Sequence, residues 1–245
     1  MSTQEIGALI ESVNEMTGTV AAKMGEIDNR VDEAEQEYRN LIDGIRSDFP
    51  FYRLTKNQEL KIGGTLTEGK TGTPDGWSNR DASKISIEIV AYTETGKLAS
   101  EKSPIVQKMW TDLKSWIPQH NQPDFAVIRL TVDASAISES DQYTIYQGPL
   151  PNGVPMTYGC WIMVESGEVK TFSNSPSQVV PNDGRWHERI LHRNMSNGGA
   201  SYEHGPHFYL APGSSCLLAL PAVVVGKIPV GKWGFIDKPK FEREG

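Results

Sequence analysis

Tryptophans and clustered histidines are the residues of this 245-residue chain whose types and spacing could do chemistry. An indole face stacks on the apolar C–H face of a pyranose, while nearby amides, carboxylates and guanidinium groups take the hydroxyls. Trp77 stands beside Asp75, Ser78 and Asn79, and Trp186 beside Asn182, Asp183 and Arg185. Trp77, Asp75, Asn79, Trp186, Asp183 and Arg185 are therefore the candidate glycan-binding residues. Trp110, Trp116 and Trp161 sit in apolar or amphipathic stretches and read as core. Exposure of both Trp77 and Trp186 would favour binding; burial of both would favour a scaffold.

The histidines His187, His192, His204 and His207 gather in the second half. Glu203-His204-Gly205-Pro206-His207 could offer two imidazoles and a carboxylate to a metal. In a homotrimer, one histidine per chain could also meet on the threefold axis. Pro206 spoils a helical presentation and no cysteine is near, so His204 and His207 read as a polar loop, and no metal or cofactor is expected. The nucleophile elbow, the phosphate loop, the dinucleotide fingerprint and the zinc-protease helix motif are all missing. The loop acids, such as Asp81, Asp124, Asp133 and Asp141, read as turn residues, and no catalysis is expected. Cys160 and Cys216 read as two buried thiols.

The elements that must position these residues begin with a heptad repeat over residues 1–48. Position a falls on Ile10, Thr17, Met24, Val31, Tyr38 and Ile45. Position d falls on Ile6, Val13, Val20, Ile27, Ala34 and Leu41. An apolar seam repeating every 3.5 residues calls for partner helices. Lys23 and Arg30 at g precede Asp28 and Glu35 at the following e, opposite in sign as parallel pairing requires. Arg30-Val31-Asp32-Glu33-Ala34-Glu35 resembles a motif of parallel trimeric coiled coils, and 23–28 is a looser copy. The expectation is a parallel homotrimer. A helix packed on its own globular domain is the alternative. Gly7, Gly18 and Gly25 each cost about 1 kcal/mol against alanine in a helix, so the first half of the stalk is the weaker half.

Charge and hydropathy exclude some classes. The net charge is −7 and there is no basic patch, so phosphate-neutralising contacts with nucleic acid are not expected. No apolar run reaches membrane-spanning length. The first residues lack the basic and apolar regions of a signal peptide, which predicts synthesis and retention in a cytosol, or exit by another route.

Beyond residue 49 the texture is β, with glycine and proline punctuating short alternating runs. Strands are expected at 59–62, 84–92, 125–132, 142–146, 160–164, 169–172, 216–220 and 223–225. Glu94 to Lys97 reads as a hairpin turn, and 105–117 is ambiguous between helix and strand. The segment Phe49 to Leu54 reads either as an aromatic collar or as a first strand. The domain reading is a parallel coiled-coil stalk over 1–48, a sandwich or jelly-roll module over 49–150, and a second β module over 151–245. The second is a degenerate repeat of the first or continuous with it.

The stalk sequence, from Val13-Asn14-Glu15-Met16-Thr17 through Lys23 to Ala34, resembles the N-terminal coiled coils of tailed-bacteriophage tail-fibre and tail-spike proteins. The run from Gly76-Trp77-Ser78 through 85–92, Trp110-Thr111 and 125–132 to Tyr146 is similar to jelly-roll carbohydrate-binding modules, though without a clear acidic calcium site. The resemblance implies a trimeric virion tail component assembled in the host cytoplasm. It would join other tail or baseplate proteins through its N-terminus and contact a host-surface glycan without inserting in a membrane. A structural collar, fibre or baseplate adaptor is the alternative. A capsule depolymerase is disfavoured, since no short solenoid period is present.

Overall fold

The computed structural model describes residues 2–48, 51–136, 144–150, 154–193 and 205–237, with the side chains of the first helix described through Tyr38. The chain divides into two compact units, Met1–Pro50 and Phe51–Gly245.

The first unit is one helix, α1 (Thr3–Asp48). Its start is a capping box. The Ser2 hydroxyl accepts from the Glu5 amide at 3.3 Å, and the Glu5 carboxylate accepts from the Ser2 amide at 2.6 Å. No proline interrupts the run until Pro50. Its 46 residues span about 69 Å at 1.5 Å per residue.

The second unit is mainly β. In chain order it holds β1 (Ser78–Asn79), β2 (Ile85–Tyr92), α2 (Pro104–Lys114), β3 (Ala126–Val132), β4 (Ile145–Tyr146), β5 (Met156–Ser166), β6 (Val169–Thr171), β7 (His187–Arg193), β8 (Phe208–Leu210) and β9 (Ser215–Val225). Five strands form one antiparallel sheet in the order β2-β3-β9-β5-β7, and β1-β4 and β6-β8 form two small antiparallel sheets. The alternating pattern Ile85, Ile87, Ile89 puts one side of β2 into the core.

Each face of the large sheet carries its own core. Ile87, Ile128, Leu218, Ile162 and Tyr158 pack with Leu60, Trp77, Ile145, Phe172 and Phe208. On the opposite face Val127, Leu217, Ala219, Trp161 and Val224 pack under Val106, Met109 and Trp110 of α2 and under Ile228 and Trp233. Register shifts let a strand serve both cores. One lies between Ile89 and Ala91, which sends Ala91 to the α2 side. Another lies between Gly159 and Trp161, opposite Leu220, whose φ is 48°.

The ambiguous segment 105–117 is helical through Lys114. Ser103 caps it by accepting from the Val106 amide, Pro104 stands in its first turn, and Ser115 closes it in the left-handed region. Strands β2, β3 and β5 fall close to where alternation placed them. Their pairing does not follow sequence order. The turn at 94–97 leads into α2 rather than back along β2, which pairs with β3. β6 pairs with β8 rather than folding back on β5. Residues 216–220 and 223–225 are one strand, β9, bulged at Leu220.

The stretches 49–150 and 151–245 share the large sheet, because β9 lies between β3 and β5. β4 and β9, alike in texture, occupy non-equivalent places, one in a two-stranded sheet and one at the centre of five. No named strand covers 59–62, where Ile62 makes an isolated bridge to Thr65. Tyr52 to Leu54 runs along the end of β9, with the Leu54 amide donating to Val223 and the Val225 amide to Tyr52. That favours the first-strand reading of the segment over a collar.

Candidate functional site

Every described side chain of helix α1 is exposed, those of the seam included. Ile6, Ile10, Val13, Val20, Met24, Ile27, Val31 and Tyr38 are 45–65% exposed. Thr17 at position a turns its hydroxyl inward, donating to the Val13 carbonyl at 2.7 Å. A groove on the helix is lined by Ile27, Arg30, Val31, Ala34, Glu35 and Tyr38. Those residues form two successive holes of the kind a parallel neighbour fills. Ile27, Arg30, Val31 and Ala34 make the hole for an a-position knob. Val31, Ala34, Glu35 and Tyr38 make the hole for a d-position knob. Arg30 stands on one rim and Glu35 on the other. The other expected ion-pairing residue, Lys23, is engaged within its own helix, 2.6 Å from Glu26. Both partners are exposed, so that pair is weak. Leu41 and Ile45 lie on α1 where side chains are outside the described residues.

Neither candidate tryptophan offers a face to a sugar. Trp77 is 7% exposed and Trp186 3%. They also lie on opposite sides of the large sheet, Trp77 in the core with Phe208 and Trp186 in the core under α2. Their polar neighbours serve the fold. The Trp77 indole N–H donates to the Asn57 carbonyl at 3.3 Å. The Asp75 carboxylate accepts from the Gly63 and Gly64 amides at 2.9 and 2.7 Å. The Gly64 amide, then that of Gly63, holds the Asp75 carboxyl below its ordinary range. Asn79 donates to the Ile85 carbonyl and accepts from the Asp81 amide. Asp183 accepts from the Arg185 amide and pairs with His187 at 2.9 Å, a turn built on its own loop. Arg185 is exposed.

The Trp186 amide donates to Asp112 of α2 at 3.0 Å, which pins the loop to the helix. The Trp186 indole N–H is buried with no partner among the described residues. Truncation to alanine is therefore expected to destabilise the β unit by about 3–5 kcal/mol. Trp186→Phe, which keeps the ring and removes an unpaired donor, is expected to cost less than about 1.5 kcal/mol. Urea titration of the two variants checks this.

Trp110 and Trp161 are buried, edge to face at 5.2 Å. Trp116 is not core: it is 62% exposed. It lies past the left-handed cap at Ser115, so the helical spacing does not extend to it. Pro118, two residues on, was the available signal that the helix ends before it.

His207 is buried, stacked flat on Tyr146 at 5.4 Å, with its Nδ1 2.6 Å from the Gly205 carbonyl. The surface-loop reading of His207 is corrected by that burial. His204 lies outside the described residues. His187 pairs with Asp183, and His192 Nε2 lies 2.8 Å from the Ile228 carbonyl. Among the described residues no group of three histidine, cysteine or carboxylate side chains could hold a metal ion. Cys160 and Cys216 are free and buried, and burial pushes both thiols up.

Sequence reading missed a polar network on the large sheet. Arg129 of β3 donates twice to Glu165 of β5, at 2.8 and 2.9 Å, and Ser215 of β9 donates to the same carboxylate at 2.9 Å. Thirty-six residues separate Arg129 from Glu165, so only the insertion of β9 between their strands reveals the pair. Burial works against the Glu165 charge, but the bonds from Arg129 and Ser215 outweigh it and hold the carboxyl below its ordinary 4.5. A carboxyl with a depressed folded-state value adds stability that is complete above the unfolded value and lost as pH falls through the folded one. The stability gap between the wild type and Glu165→Gln is therefore expected to shrink between about pH 5 and pH 3. Near neutrality it should be about 0.5–1 kcal/mol, the range for a pair still reached by water. Thermal melts across that pH range measure it.

Comparisons with known proteins add little. No protein-family model matches the chain, and no curated protein matches it. Among solved structures, an arabinose-bound α-L-arabinofuranosidase aligns with a TM-score of 0.41 at 7% identity over 71% of this chain. The match spans 26% of that enzyme chain. A likeness of that size assigns neither fold nor activity.

Proposed function

We propose that the chain is a non-catalytic, trimeric component of a bacteriophage tail, acting as a structural fibre or baseplate adaptor. In this reading α1 associates with two further copies as a parallel, in-register coiled coil and carries a β unit built for rigidity. The observation that carries it is the groove from Ile27 to Tyr38. Its apolar floor, its paired knob holes and its Arg30 and Glu35 rims suit a second copy of the same helix. The virion assignment rests on the resemblance of the stalk sequence to tail-fibre coiled coils. No helix among the described residues is long and apolar enough to cross a membrane.

The adaptor reading is preferred over a glycan-binding tip because Trp77 and Trp186, the two residues that pointed to sugar, are both in the core. Burial of this pair was the outcome that favours a scaffold. If a glycan is bound, Trp116 is the exposed indole of the β unit able to stack on it. A glycan array with host-surface polysaccharides tests the choice, run beside Trp116→Ala. The adaptor reading predicts no binding by either protein. Binding by the wild type that disappears in Trp116→Ala would replace it with a receptor-binding role through that residue.

A further inference from the structure

The seam of α1 carries its smallest d residue next to its bulkiest a residue. Ala34 and Tyr38 stand one turn apart, and both line the same groove with Val31 and Glu35. In a parallel trimer each a or d side chain enters a hole of four residues on the facing helix. Ala34 entering the hole of Val31, Ala34, Glu35 and Tyr38 underfills it. Tyr38, 65% exposed in the single helix, has a ring with no room beside a large neighbour in the layer before it.

We propose that Ala34 and Tyr38 form a size-matched step that sets the register of the three chains. The Tyr38 ring of one copy occupies the space left beside Ala34 of the next, and its hydroxyl leaves the seam toward water. Large and small residues alternating along a seam interdigitate in one register, whereas a slip of one heptad sets Tyr38 against Val31 or Ile45 layers that have no matching space. The flanking charges agree with the same alignment, since Arg30 meets Glu35 of the neighbour only in register. This inference rests on the trimer reading and concerns which residues fix the alignment.

The test is a double-mutant cycle on the full chain at one protein concentration. Helix melting is followed by circular dichroism, and mass is measured for every variant. With Tyr38 present, Ala34→Leu should overpack the step and lower the melting temperature by roughly 5 °C. In the Tyr38→Leu background the same change makes an ordinary apolar layer and should raise it. Equal shifts in both backgrounds would overturn the size-matched step while leaving the trimer standing. A wild-type mass of one chain would instead overturn the trimer reading itself.

Discussion

Val31→Asp is expected to break the proposed trimer into single chains. Val31 lines both knob holes in the α1 groove, the Ile27–Ala34 hole and the Val31–Tyr38 hole. In a three-chain seam the substitution brings three carboxylates together on one axis, away from water and from any cation. Stripping an ion of water without a partner costs several kcal/mol for each copy. Shedding one or more of those charges by protonation would still leave polar groups where apolar contact held the seam. An isolated helix of this kind is held mainly by its packing rather than by its propensity, and three glycines weaken its first part further. Helical content should therefore fall together with the mass. Glu33→Gln, at the outward c position, should change neither quantity. Sedimentation equilibrium beside far-ultraviolet circular dichroism measures both. A Val31→Asp protein that remains three chains would place the interface somewhere other than this seam.

Gly159→Ala is expected to destabilise the β unit strongly although it adds one carbon atom. A methyl group at Gly159 would lie 2.4 Å from the Trp233 ring. Neither side can yield cheaply. Gly159 is bonded into the sheet on both sides, opposite Ile190 of β7 and Ala222 of β9. Trp233 is 2% exposed, its indole N–H donates to the Leu220 carbonyl at 3.0 Å, and its amide donates to Glu188 at 3.1 Å. Gly231 is also bonded to the Glu188 carboxylate. The ring thus seals the α2-side core while its backbone is tied to β7. Overpacking of this kind costs about 1–3 kcal/mol, and a clash with an immobile ring belongs at the top of that range. The urea midpoint of the β unit should fall while its slope holds. The oligomeric mass should not change, because the seam of α1 is untouched. A Gly159→Ala variant as stable as the wild type would mean that Trp233 leaves its place readily, and with it the latch to Glu188.

The long first helix was legible because its periodicity lies within one element and needs no knowledge of what packs where. The strands β2 and β3 were legible for a similar reason, each carrying its own alternation. What could not be read was partnership. β9 enters between β3 and β5 from the far end of the chain, and that insertion merges two apparent modules into one sheet and joins Arg129 to Glu165. The tryptophan loops misled because polar residues around an indole look alike whether they bind a sugar or their own backbone. For Trp77 the deciding partner is Asn57, and for its neighbour Asp75 they are Gly63 and Gly64; for Trp186 the partner is Asp112 on α2. Nothing local to either loop names them. Trp116 failed the other way, since the spacing that made it core ended one residue earlier at Ser115.

The central claim is that three copies of α1 associate along the Ile6-to-Tyr38 seam. Sedimentation equilibrium of the purified wild-type chain at micromolar concentration tests it most directly. Three times the mass of one 27.1 kDa chain is expected. A mass of one chain at that concentration would contradict it.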